Sequence, residues 1–228
     1  MAHIPVVLSV GGSLIVPDTI DTTFIQALVS TLKTTATDGY FFAIVIGGGA
    51  TSRRYQQAAQ SIAQVPVAAI DQIGIASTRL NAELVRCSLG ELTDRQIFTT
   101  PHTQKPLTKP VRVFSGWQPG CSTDDVAVRI AVHLKSTTVI NVSNTEYVYD
   151  CDPAQHSHAQ PLPKLTWKEY RQLIPHDWQP GMHAPFDPVA ARRADRHQIT
   201  VRFINGTSVT SLAKIIAGSA TPGTVITP

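Results

Sequence analysis

The chain has 228 residues, of which 43% are hydrophobic and 15% charged, with a formal net charge of +3. This length suits one large α/β domain or two small ones with a substantial core. The small net charge leaves no electrostatic footprint for nucleic acid, and no apolar run approaches the roughly 18 residues needed to cross a bilayer.

The first apolar run, "PVVLSV", reads as a buried strand that ends in Gly11-Gly12-Ser13. "DTTFIQALVSTLKTTA" follows as a helix, with Asp21 as N-cap and Phe24, Leu28 and Leu32 at four-residue spacing. The second strand, "YFFAIVIG", runs into Gly47-Gly48-Gly49, and a helix carrying Arg53 and Arg54 begins there. "TRLNAELVRCSLG" repeats the helical pattern with Leu80, Leu84 and Leu89, and Gly90 is placed to close it. "VRVFSG" is the third strand, and Gly116 and Gly120 flank "WQP" after it. "STDDVAVRIAVHL" is a helix capped by Ser122 and Thr123, with Asp124 and Asp125 in its first turn, where the helix dipole favours carboxylates. "STTVINVS", "TVRFING" and "GTVITP" read as further strands.

Most of these runs are continuous rather than alternating, as expected for parallel strands covered on both faces. The alternation of strands with helices predicts an α/β three-layer sandwich with a mostly parallel central sheet. Residues 151–185 hold six prolines and four histidines and predict a long excursion with one short helix near "TWKEYRQL". The cysteines Cys87, Cys121 and Cys151 are odd in number and widely spaced, which argues against a disulfide framework and a metal knuckle. With no charged segment leading into an apolar one near the N-terminus, the expected location is the cytoplasm.

Three strands ending in glycine have a chemical meaning beyond turn formation. In a parallel sheet the carboxyl ends of the strands share one edge, and ligands bind in the crevice there. Glycine lets backbone N–H groups approach a phosphate, and a helix N-terminus behind them adds partial positive charge. Arg53 can add a charged fork. Each junction alone is also an ordinary tight turn; together with the arginine they predict an anion or phosphate site. Neither G-x-x-x-x-G-K-[ST] nor G-x-G-x-x-G is present. His156 and His158 form an H-x-H pair that reads as part of a solvated loop. Asp124 and Asp125 also suit a purely structural role at the helix dipole, and Cys121 reads as a small packed residue.

Taken together, "VVLSVGGSLIVPD", "VIGGGATSRRY", "DQIGIASTRLNAELV", "SGWQPGCSTDDVA", "NVSNTEYVYDCDP", "APFDPVAARRADRHQITVRFING" and "GTVITP" resemble, in the same order, the segments of the amino acid kinase family, in particular its archaeal-type uridylate kinases. The resemblance spans nearly the whole chain. It implies a single domain over residues 1–228, with an acceptor-binding half at about 1–135 and an ATP-binding half at about 136–228. It implies transfer of the ATP γ-phosphoryl group to UMP, Mg²⁺ accompanying the ATP with no protein metal ligand assigned, possible feedback by UTP and a homohexamer.

Residue by residue, the resemblance puts Gly11, Gly12 and Ser13 at the phosphates of the transfer point. Gly47 would meet UMP, while Gly48 and Arg53 face phosphate groups. Asp71 would hold the acceptor ribose. Trp117, Gln118, Pro119, Gly120, Cys121, Ser122 and Thr123 would wrap the UMP phosphate, and Asp124 would organise the catalytic centre. Ser143, Tyr149 and Asp152 would contact ATP.

The chain departs from the family pattern in four places. Ser9 and Gln179 stand where lysines are common, Asn144 to Tyr147 replace N-V-D-G, and Trp117-Gln118 replace Thr-His. These departures leave Arg53, Arg54 and Mg²⁺ to carry the cationic role and imply reduced activity or another small phosphate acceptor. A non-catalytic nucleotide- or oxoanion-binding or storage protein of the same fold is the alternative.

Overall fold

The computed structural model describes residues 4–153, 155–156, 158–175, 184–219 and 222–228. Gln179 lies outside the described residues. In chain order the elements are β1 (Ile4–Val10), α1 (Gly12–Ile15), α2 (Thr22–Thr35), β2 (Tyr40–Ile46), α3 (Gly49–Ile62), α4 (Val67–Leu89), β3 (Val111–Phe114), α5 (Thr123–Leu134) and β4 (Thr138–Ser143). They continue with β5 (Val148–Tyr149), β6 (Pro161–Leu162), β7 (Lys164–Thr166), α6 (Trp167–Leu173), α7 (Pro188–Arg196), β8 (Thr200–Asn205), α8 (Leu212–Ile216) and β9 (Val225–Thr227).

One seven-stranded sheet runs in the order β3-β2-β1-β4-β8-β9-β7, and β5 and β6 form a separate antiparallel pair. All pairings in the large sheet are parallel except β8 with β9. Apolar residues cover both sides of it. On β1, Val7 joins the core under α5 and α7, while Val6, Leu8 and Val10 join the core under α2 and α4. Such a strand must be apolar at nearly every position, which is why these strands read as unbroken runs.

The caps expected from sequence form. Asp21 accepts from Phe24 N at 2.9 Å, Ser122 caps α5 by accepting from Asp125 N at 3.1 Å, and Gly90 ends α4 at φ 56°. Thr123 is the first helical residue rather than a second cap.

Three expectations change. First, α4 begins already at Val67, and it buries Ile70 and Ile75 and then Ser77, Thr78, Asn81, Ala82, Val85 and Leu89. Leu80 is 65% exposed. Leu89 is buried and Leu84 packs against the core, so only Leu80 departs from the leucine pattern, where this helix turns small and polar residues toward the glycine turns. Gly74 lies inside α4, where a Cβ would sit 2.8 Å from Gln56 Nε2 of α3. It is there for close helix packing and does not break the helix. Second, the 151–185 excursion contains strands β6 and β7 as well as the expected helix, α6. Third, a one-turn helix, α1, begins within the first glycine pair, at Gly12.

Candidate active site

Strand order reverses between β1 and β4, the place where an open parallel sheet leaves a crevice at its carboxyl edge. Ser9 on β1 and Asn141 on β4 are register partners there. Both donate to the same oxygen of Asp124: Ser9 Oγ at 2.8 Å and Asn141 Nδ2 at 3.1 Å to Oδ1. The backbone N–H of Asp187, at the start of α7, donates to Asp124 Oδ2 at 3.3 Å. Asp124 is therefore not a cap of its own helix, because Ser122 fills that place and the Asp124 carboxyl reaches across the switch point. Burial raises its pKa to about 7; the Ser9 hydrogen bond opposes the shift and the neighbouring Asp187 adds to it. Burial likewise raises Asp187 to about 6, against the hydrogen bond that its Oδ1 accepts from Ala190 N.

The two glycine turns interlock. A Cβ on Gly12 would fall on Gly49 N and lie 2.5 Å from both Gly47 C and Gly48 N, and one on Gly47 would strike Gly12. Gly49 has φ 62°, with its Cβ position filled by the Gly12 carbonyl. The glycines at 12, 47 and 49 thus bring two strand-to-helix turns into backbone contact. Backbone contact is one of the two reasons that glycine at these turns left open. Asn81, buried on α4, locks the junction by donating to Gly47 O at 2.9 Å and Gly48 O at 3.0 Å.

Beside this junction lies a cavity of about 320 Å³ whose wall includes Ser13, Gly48, Arg53, Asp71, Ser122 and Thr123. Arg53 donates to Ser13 Oγ at 3.3 Å and Pro17 O at 3.4 Å. The N-termini of α3 and α5 open onto the same space, so one part of the wall is receptive to anions. Asp71 supplies a carboxylate to another part. Its Oδ2 accepts from Gly120 N at 2.6 Å, and burial keeps its pKa above the ordinary carboxylate value. A cavity with anion donors and a separate acceptor carboxylate suits a molecule that carries both phosphate and hydroxyl groups.

Asp125 does more than complement the helix dipole. It is 1% exposed and accepts from Arg129 Nε at 2.8 Å, Arg193 Nε at 2.5 Å and the Cys121 thiol at 3.1 Å. Burial alone would raise its pKa, but the two arginines outweigh burial and hold it below the ordinary value. Burial and the Asp125 carboxylate push the Cys121 thiol well above its usual range, so at neutral pH it is a packed thiol and not a nucleophile.

Ser13, Gly48, Arg53, Asp71, Cys121, Ser122 and Thr123 are brought together on one cavity wall. Trp117, Gln118, Pro119 and Gly120 belong to the adjoining loop, and Gly11, Gly12 and Gly47 to the interlocked turns. Ser143, Tyr149 and Asp152 do not line this cavity; Ser143 ends β4, and Tyr149 and Asp152 follow it. Ser143 Oγ is 3.3 Å from Thr145 Oγ1, Tyr149 packs edge-on with Tyr147, and Asp152 accepts from Gln155 Nε2 at 2.8 Å.

Sequence reading missed Asn81, Asn141, Asp187 and Thr78, whose Oγ1 accepts from Gly116 N at 2.8 Å on the cavity wall. The available signal was polar residues at helical spacing, Thr78 and Asn81, inside an otherwise small and apolar stripe. Asn141 was an amide in the middle of "TVINVS".

No group of three or more His, Cys, Asp or Glu among the described residues is arranged to hold a metal ion. Among the described residues Asp187 Oδ2 is buried without a hydrogen-bond partner, close to Asp124. One or two carboxylates plus substrate phosphates is a usual setting for Mg²⁺, so this pair fits a nucleotide-borne ion.

Residues 5–205 match the amino acid kinase family. The chain is 30% identical over 218 residues to a uridylate kinase of Hyperthermus butylicus, covering 94% of each. It is 31% identical over 228 residues to a uridylate kinase of Thermococcus onnurineus, covering 98% of this chain and 99% of the relative. The crystal structure of uridylate kinase from Archaeoglobus fulgidus superposes with a TM-score of 0.83 at 28% identity, covering 98% of this chain and all of that one.

Proposed function

Because the chain belongs to the amino acid kinase family, we propose that it is an ATP-dependent nucleoside monophosphate kinase that transfers the γ-phosphoryl group of ATP to UMP, yielding UDP and ADP. The observation that carries this reading is the full-length similarity to proteins named uridylate kinases, joined to a cavity that pairs anion donors with an acceptor carboxylate.

In this reading the acceptor occupies the half formed by residues up to about 135, and ATP the remainder. Asp71 accepts from the ribose hydroxyls. The segment from Trp117 to Thr123, with the N-terminus of α5, holds the UMP phosphate. Arg53 and Ser13 face the transferring group, and Ser143, Tyr149 and Asp152 line the ATP side. A UMP phosphate oxygen is already anionic, so it attacks the γ-phosphorus directly while the ADP oxygen leaves, and no covalent enzyme intermediate is required. Phosphoryl transfer of this kind depends on position and charge neutralisation. Mg²⁺, when bound with ATP, neutralises phosphate charge, and Asp124 and Asp187 are the carboxyls that would hold it.

The protein acts in the cytoplasm as a homohexamer, with UTP as feedback ligand. On α3, Tyr55 and Ile62, 66% and 83% exposed, are apolar side chains available to such an assembly.

UMP or UTP at about 100 times its dissociation constant adds about 2.7 kcal/mol of stability, read as a higher melting temperature. A shift with ATP and none with any uridine nucleotide would exclude UMP as acceptor. Asp124→Asn lowers turnover at least about tenfold, equivalent to about 1.4 kcal/mol of barrier, in a protein that remains folded by circular dichroism. Unchanged turnover would reduce Asp124 to a structural link between β1, β4 and α7.

A further inference from the structure

The loop between β3 and α5 contributes Gly116, Cys121, Ser122 and Thr123 to the cavity wall. It is held from its outer side by charged groups that take no part in phosphoryl transfer. Arg129 lies one turn beyond Asp125 on α5. Its Nε donates to Asp125 Oδ2 at 2.8 Å while its guanidinium lies over the Trp117 ring, 5.1 Å from the centroid. Asp125 in turn receives Arg193 from α7 at 2.5 Å and the Cys121 thiol at 3.1 Å. His102 meets Trp117 edge-on at 5.9 Å. On the inner side Gly120 N donates to Asp71 at 2.6 Å.

The physical consequence is a chain of constraint. Asp125 is buried and paired with two arginines and a thiol, so removing either arginine leaves its charge less compensated. The Nε hydrogen bond to Asp125 and the Trp117 ring together orient the Arg129 guanidinium. A fixed guanidinium over an indole face holds the ring by cation–π attraction, and the ring begins the segment that ends in the α5 cap. The thiol of Cys121 ties the middle of the same segment to the same carboxylate. None of Arg129, Arg193 or Asp125 lines the cavity.

We propose that Arg129, oriented by Asp125 and Arg193, is a positioning residue that keeps the 116–123 loop in its acceptor-binding conformation and so sets the affinity for UMP without touching UMP. The role of the loop in holding UMP rests on the function proposed above; the anchoring of the loop does not.

The test compares Arg129→Met, which keeps the aliphatic stem and removes charge and donors, with Arg129→Lys, which keeps the charge and loses the planar fork. Two readouts are taken: amide hydrogen exchange across the chain, and separate calorimetric dissociation constants for UMP and ATP. In Arg129→Met, exchange in residues 116–123 rises at least tenfold, the UMP dissociation constant rises about tenfold, and the ATP constant and exchange in β1, β2 and β4 stay within twofold. Arg129→Lys falls between wild type and Arg129→Met, and it carries the test if Arg129→Met does not fold. Unchanged exchange in the loop overturns the proposal. So does a rise in exchange across the whole sheet with UMP and ATP affinity lost together, because that marks a general loss of stability. If the wild-type protein binds no UMP, the acceptor reading fails, and exchange still decides the anchor: a rise confined to residues 116–123 supports it, and no rise refutes it.

Discussion

Arg53→Ala lowers kcat/KM for phosphoryl transfer by about two orders of magnitude, equivalent to about 2.7 kcal/mol of transition-state stabilisation. Arg53 is a cation on the cavity wall beside Ser13, at the start of α3, where the helix N-terminus already favours negative charge. Charge developing on the transferring group meets the guanidinium in a site partly screened from water, where such contacts exceed their worth in bulk solvent. Arg54 is the internal comparison. It is exposed and pairs with the exposed Asp18 on the protein surface. A surface pair of this kind contributes about 0–1 kcal/mol, so Arg54→Ala changes kcat/KM less than about threefold on the same scale. Steady-state kinetics of both variants decides the matter. Equal small effects would remove Arg53 from the phosphate site.

Gly12→Ala destabilises the fold by at least about 3 kcal/mol, above the usual cost of an overpacked core. The added methyl meets backbone atoms of Gly47, Gly48 and Gly49 rather than the end of a flexible side chain. Relief requires one strand-to-helix turn to move away from the other, which breaks the Asn81 hydrogen bonds to Gly47 O and Gly48 O. Gly11→Ala is the milder neighbour, because the nearest atom to its Cβ is Val142 O at 3.3 Å. Urea unfolding of the two variants measures the contrast. A Gly12→Ala protein as stable as wild type would mean that the two turns can separate at little cost.

The parts of this molecule legible in its sequence are those governed by local rules. Strands buried on both faces must be apolar throughout, so β1, β2, β3 and β4 stood out as runs. Asp21, Ser122 and Gly90 announced helix ends through cap chemistry that depends on a few neighbouring residues. The glycine turns and Arg53 were visible because their residue types are unusual for their positions, while the 117–123 segment was picked out by its resemblance to the family's segment.

The relations set by packing between distant elements were not legible. Leu80 has the spacing of a core residue, but the face of α4 that meets the glycine turns must be small and polar, so the leucine faces outward. Asp125 is adjacent to Asp124 and equally suited to a helix dipole. Only the arrival of Arg193 from α7, 68 residues along the chain, makes it a buried ionic centre. The contact of Gly12 with Gly49 likewise depends on β1 and β2 being parallel neighbours in register. Sequence spacing showed that these glycines were special and left open whether a ligand or another backbone required them.

The most direct test of the proposed reaction is the fate of the γ-phosphoryl group in a mixture of protein, Mg²⁺, γ-labelled ATP and UMP. UDP should acquire the label in a one-to-one ratio with ADP formed, and ADP formation should be negligible when UMP is left out. ATP turnover that is indifferent to UMP, or bound ATP and UMP that exchange no phosphoryl group, would contradict a uridylate kinase and leave a nucleotide-binding protein on the same fold.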